Sequence, residues 1–307
     1  MTRSFPSIDD STQLFSDGIL KAMAPALFKG SAFGVVIPTD SSDFVSVQAA
    51  AAEASAQGLR VQAAGTLTTS STLVLQCDGD LSALTIRYTG GGVAVQVGDL
   101  AVVTWRRKLT TPRVTAANKT VTGWAEVAGT TGILAVNLNS CPELVIPHVQ
   151  NFELGLRVVG MGQGNSYNTH LLGHLDNNKV NLELDADATG WSNQNVYIGG
   201  RLSHNSLDGL NVPGVRHIRM AQGIPNPING NTFVAPSVEY GTAEYHIDFA
   251  GVSNVVLNAR FEVVGGARVR YQDGTVRCSI TEGYGAHQIV ETFGANVVGC
   301  NIRSGSR

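Results

Sequence analysis

The stretch "VNLELDADATG" sets three acids, Glu183, Asp185 and Asp187, at alternate positions. If Leu182, Leu184 and Ala186 face a core, the acids face outward, each about 6.7 Å from the next along a strand. That separation suits the carboxylate pair of an inverting glycoside hydrolase, where one acid protonates the leaving group and the other activates water. Neighbouring like charges raise a carboxyl pKa, which fits Glu183 as the acid and Asp185 or Asp187 as the base. The same pattern also reads as a solvated polar face, or as an oxygen-lined cation site between subunits.

Just downstream, "GWSNQNVYIGGRLSHNSLDG" carries a second chemistry. Trp191 and Tyr197 offer flat faces on which sugar rings stack, and the amide of Asn193 and the guanidinium of Arg201 can hydrogen-bond hydroxyls. The two aromatics read more readily as subunit-interface residues. Arg201, His204 and Asp208 have the residue types of a polysaccharide lyase, a base beside an Arg that binds a uronate carboxylate, although their spacing is not diagnostic. His170 and His174 stand four apart, which suits a metal only on a helix. "YNTHLLGHLDNN" reads as strand and turn, so the rings diverge and no metal or cofactor is expected. "GMGQGNS" lacks the Lys and the following helix of a phosphate loop, and reads as a turn where chains pass closely. Cys77, Cys141, Cys278 and Cys300 form no CxxC pair and read as buried free thiols, with Cys278 and Cys300 about one repeat apart.

These residues need a scaffold, and the chain describes one. It has 307 residues, a net charge of −3, 35 glycines and only 15% charged residues. No basic run offers nucleic acid an electrostatic footprint, and "WRRK" at 105–108 reads as a solvated strand end. No apolar run reaches the roughly 18 residues of a membrane span, and the first residues lack a secretory signal. Short strands such as "ALTIRY", "VNLELDA" and "NVVLNA" alternate with Gly, Asn, Asp and Ser turns. "NVYIGGRL" (195–202), "NVVLNARF" (254–261) and "NVVGCNIR" (296–303) read as the same corner of a coil repeated about every 20 residues. In that reading the Asn takes the left-handed backbone conformation and the Val points inward. The pattern fits an all-β right-handed parallel β-helix of about 11 coils, a rod on the order of 50 Å long. A β-sandwich would need hairpin signals that are scarce here. Residues 43–58 read as an Ala-rich helix stopped by Gly58. Residues 1–34, with Leu14, Phe15, Ile19, Leu20 and Met23 at helical spacing, read as a separate arm that docks on another protein or caps the main domain, residues 35–307.

The stretch from Asp40 to Leu75, "DSSDFVSVQAAAAEASAQGLRVQAAGTLTTSSTLVL", resembles the opening of pectate-lyase-like (pectin-lyase-like) β-helix domains in bacteriophage tailspikes. "NFELGLRVVG", "YNTHLLG", "DNNKVNLEL" and "GWSNQNVYIGGR", within residues 132–203, resemble a segment of phage and prophage tail proteins. The resemblance implies a virion structural protein, tailspike- or tail-fibre-like, made in the host cytoplasm. It implies a homotrimer attached to host-surface polysaccharide, with other virion proteins as partners of residues 1–34. Two other roles remain open: a depolymerase, hydrolase or lyase, using the flank carboxylates, and an adaptor joining a larger spike to the virion. The modest length leaves little room for a long active groove, so the expectation leans away from an enzyme.

Overall fold

Strand after strand, the apolar residues of one segment align with those of the segment a coil away. A computed structural model describes residues 34–117, 128–204, 212–221, 228–240, 243–263, 266–284 and 289–303. Among them every strand pairing is parallel, and the chain is an all-β parallel β-helix. One inward column runs through eleven strands: Val36, Val61, Gly79, Leu109, Leu144, His170, Tyr197, Phe233, Val256, Ile280 and Ile302. A nine-stranded sheet faces it with Val95, Ile133, Leu156, Leu182, Ile218, Ile247 and Val269, all buried. A four-stranded sheet, Thr104–Trp105, Leu138–Asn139, Gly164–Ser166 and Trp191–Asn193, closes the third side. No coil can bury its inner face alone; stacking makes the core.

The corner between the four-stranded sheet and the eleven-strand column corrects the sequence reading. The left-handed position is held by the residue before the Asn: Arg106, Ser140, Tyr167, Gln194, Gly230, Ser253, Arg277 and Gly299, with φ from 50° to 66°. The next residue turns inward and forms a ladder. Arg107 N–H donates to Cys141 Sγ (3.4 Å), Cys141 N–H to Asn168 Oδ1 (2.9 Å), and Asn168 N–H to Asn195 Oδ1 (3.1 Å). Asn195 N–H then donates to Asn231 Oδ1 (3.1 Å), Asn231 N–H to Asn254 Oδ1 (2.9 Å), and Cys278 N–H to Cys300 Sγ (3.3 Å). Asn195 and Asn254 therefore occupy the same corner, as expected. Asn296 does not: it belongs to another turn, and the corner residue of that coil is Cys300. The inward residue after each Asn is the second, Tyr197 or Val256, rather than the Val that follows it directly. All four cysteines are free, and three of them serve in the ladder.

Helix α1, Phe44–Gln57, closes the front of the solenoid. The Asp43 carboxylate accepts from Ser46 N–H (2.8 Å), Gly58 ends the helix at φ 66°, and Val47, Ala50, Ala51 and Ala54 are buried. Small side chains on that face let the helix lie close to the first coil. Gln48 completes the lid: its Oε1 accepts from Val74 N–H (2.9 Å) and its Nε2 donates to Val74 O (3.2 Å). Strand Leu73–Leu75 is the outermost strand of the nine-stranded sheet, so one amide satisfies an edge that would otherwise be unpaired. The expected arm, residues 1–34, lies outside the described residues except for Gly34.

Polar rings are also stacked inside. His170, Tyr197 and Phe233 lie face to face with centroids 4.7 Å apart, and His204, His217 and His246 follow one another at 4.3 and 5.4 Å. Burial lowers the pKa of His170 to about 3 and of His246 to about 4, and pushes His217 well below its ordinary value of 6.5. Each folded-state pKa lies below the unfolded value, so these groups leave stability intact above pH 6.5 and erode it as pH falls toward 4. Melting temperatures measured from pH 7.5 to 4.5 are expected to fall through that window; a flat profile would contradict the assignment. Two substitutions test the ladder and the lid. Asn195→Ala leaves buried N–H and C=O groups unpaired and is expected to cost about 2–4 kcal/mol, and Gln48→Ala about 1–2 kcal/mol, in urea unfolding.

Candidate functional site

A left-handed corner turns its side chain away from the core, so the ladder displays a column of side chains on the outside. Tyr167 and Gln194 belong to this column. With Trp191 and Asn193 from the strand just before it, and Asn229 from the next coil, they line a cleft of about 380 Å³. Two aromatics are open to solvent there: Trp191 is 38% exposed and Tyr167 62%. Asn193 Oδ1 accepts from Asn229 N–H (2.8 Å) and Asn229 Oδ1 from Val252 N–H (3.1 Å). Both oxygens are thus committed to the neighbouring coil, and the Nδ2 groups remain as donors for a ligand.

The glycine-rich segment makes this possible. A Cβ at Gly164 would lie 2.3 Å from Cε2 and Nε1 of the Trp191 indole, so the ring lies flat across the Gly164 backbone. Gly160 and Gly190 are packed as closely against backbone, Gly160 against that of Trp191 itself. "GMGQG" is a place of close approach, as its composition suggested. Asp187 shapes the turn into Trp191 by accepting from the N–H groups of Gly162 (2.7 Å) and Thr189 (2.9 Å). These backbone bonds hold its carboxyl below the ordinary carboxylate range.

The other site residues expected from sequence go elsewhere. Tyr197 is 1% exposed, sandwiched between His170 and Phe233 in the core, and its ring cannot reach a sugar. Burial also raises the pKa of its phenol. Arg201 is surface-facing but at the far end of strand Val196–Ser203, where its Nε donates to Glu239 Oε2 (2.7 Å). His204 is buried, with Nε2 2.7 Å from Asn178 O, and Asp208 lies outside the described residues. His170 is in the core and His174 outside, so the two do not converge.

Glu183 and Asp185 do lie on the outer face of one strand, but neither is an open acid. Glu183 is 5% exposed and clamped by Arg157 Nε and Arg219 Nη1, each at 3.2 Å; Asp185 shares Arg157. Burial raises the Glu183 pKa against the pull of the two guanidiniums. Among the described residues no three His, Cys, Asp or Glu gather as metal ligands, and no helix is long and apolar enough to cross a membrane.

No family model matches the chain, and no curated protein matches it. Among solved structures it is similar to the Dettilon tailspike protein, at 14% identity and a TM-score of 0.42, over 89% of this chain and 69% of that one.

Of the residues lining this cleft, sequence reasoning named Trp191 and Asn193 and did not name Tyr167, Gln194 and Asn229. The available signal was position: Tyr167 and Gln194 each stand immediately before a ladder Asn. The packing of Trp191 is testable. Gly164→Ala is expected to displace the indole and change tryptophan emission, with no such change when the same substitution is made in Trp191→Phe.

Proposed function

We propose that this chain is a bacteriophage tail component, tailspike- or fibre-like, that attaches to host-surface polysaccharide through the Trp191 cleft. The observation that carries the reading is the pairing of two exposed aromatic faces, Trp191 and Tyr167, with uncommitted amide donors on one rigid corner column. Rings give sugars a stacking surface at little entropic cost, and amides meet their hydroxyls. The sequence resemblance to phage tail proteins supports the setting, with residues 1–34 as the contact to other virion proteins.

A homotrimer fits the distribution of charge. Val145, Leu171, Ile198, Val234 and Leu257 align outward on five successive strands, an uncharged stripe with Ile198 and Leu257 exposed. The outward column of the nine-stranded sheet instead reads Arg157, Glu183, Arg219, Asp248 and Arg270. Copies associating along the stripe would meet apolar side chains there, whereas the column of the nine-stranded sheet would bring charges together.

Catalysis by Glu183 with Asp185 is the weaker reading. The raised pKa of Glu183 suits an acid, but two guanidiniums already occupy it and it is only 5% exposed.

An array of bacterial surface polysaccharides tests the reading. Trp191→Ala and Tyr167→Ala are each expected to weaken binding about tenfold, equivalent to about 1.4 kcal/mol; equal binding by wild type and Trp191→Ala would sink it. Light scattering should report three copies, and Ile198→Arg should return the chain to a monomer.

A further inference from the structure

A second cleft lies at the opposite end of the same strands. Strands Thr169–Asp176 and Val196–Ser203 begin beside Tyr167 and Gln194 and end beside Asp176 and Arg201. There Gln150, Asp176, Arg201, Ser203 and Tyr240 line a space of about 250 Å³. Tyr240 stands at its rim, 38% exposed and in the left-handed conformation at φ 69°, which holds its ring outside the core.

The polar groups are arranged as adjacent donors and acceptors. Arg201 Nε is spent on Glu239, but its Nη groups keep free donors. Glu239 is itself oriented by Ser237 Oγ (3.1 Å). Asp176 Oδ1 accepts from the Ser203 hydroxyl. Its Oδ2 faces His148 Nε2 and His174 Nδ1 at 3.6 Å and Arg201 Nη1 at 3.9 Å, all too far for a direct hydrogen bond. Within the cleft the 3.9 Å gap between Asp176 Oδ2 and Arg201 Nη1 leaves a place for a bridging hydroxyl. Gln150 adds an acceptor, since its Nε2 is committed to Thr115 Oγ1 (3.1 Å).

Ligand charge is constrained by the same groups. Asp176 and Glu239 repel an anion, and Arg201 between them is already paired. The central guanidinium likewise disfavours a bound cation. Proton transfer is disfavoured too: burial pushes the Asp176 pKa up, but the neighbouring His148 ring, the Ser203 hydroxyl bond and the Arg201 charge outweigh it and leave it lowered, so no acid is poised.

We propose that this second cleft binds an uncharged sugar ring bearing adjacent hydroxyls. One hydroxyl bridges Asp176 Oδ2 and the Arg201 Nη donors, and the ring rests on Tyr240. The site shares no residue with the Trp191 cleft and stands whether or not that cleft binds glycan. Two sites on one chain, multiplied by copies in an assembly, convert weak contacts into avidity.

Saturation-transfer NMR on the full chain carrying Trp191→Ala tests it, with D-glucose, D-galactose, D-mannose, L-rhamnose and N-acetyl-D-glucosamine as probes. At least one sugar is expected to retain transfer. Adding Tyr240→Ala, an exposed ring whose loss leaves the core intact, should weaken that binding at least tenfold; Arg201→Gln should do the same, with melting temperature as the fold control. Absence of transfer to every probe in Trp191→Ala overturns the second site and leaves the first reading untouched. Transfer that survives Tyr240→Ala overturns it as well. Residual binding removed by Tyr240→Ala, while array binding ignores Trp191→Ala, supports the second site and rejects the first.

Discussion

The ladder of side-chain amides and thiols at one corner is the constraint on which the rest of this molecule depends. Six of its eight left-handed positions carry a side chain, Arg106, Ser140, Tyr167, Gln194, Ser253 and Arg277. Each such residue costs roughly 1–2 kcal/mol relative to an ordinary conformation. A buried backbone N–H left without a partner at the same place would cost about 1–3 kcal/mol more. The inward Asn or Cys removes that second penalty by accepting the N–H from the preceding coil, while each Asn Nδ2 reaches a carbonyl of that coil. Satisfied amides in a dry interior fix one geometry, because any slip of a coil breaks bonds above and below at once.

Function follows from the other side of that corner. At this corner the left-handed residue precedes an inward ladder residue, so its own side chain points away from the core and the ladder displays a row of groups to solvent. Tyr167 and Gln194 are members of that row, and Trp191 is held beside it because Gly164 offers no Cβ. At the other end of the same strands Tyr240 is displayed by the same device. The strands between supply rigidity, so the backbone of both clefts is preformed and the binding proposed there would need to order only exposed side chains.

Much of this was legible in the chain itself. The short strands, the Ala-rich lid ending at Gly58, the close-packed glycines and the stacked cysteines all carry local signatures of stereochemistry or composition. The aromatic and acidic residues could be named but not sorted. Trp191 and Tyr197 differ by an even number of positions and would share one face of an unbroken strand. The left-handed turn at Gln194 resets that phase, placing Trp191 outside and Tyr197 in the core. Tyr197 and Arg201 part company in the same way, because Gly199 and Gly200 both have positive φ. The covering of the acids was hidden for a different reason: the arginines that clamp Glu183 lie a coil away on each side, at Arg157 and Arg219, contacts no local pattern reports.

The amino-acid sequence by itself determined that this chain would coil in parallel and close its front end with a small-residue helix, because strand length, turn chemistry and alanine content act within a few residues. Only the tertiary structure decided which side chains face a ligand. A single-residue change of phase at a corner reverses inside and outside, and the bonds that set the phase come from neighbouring coils.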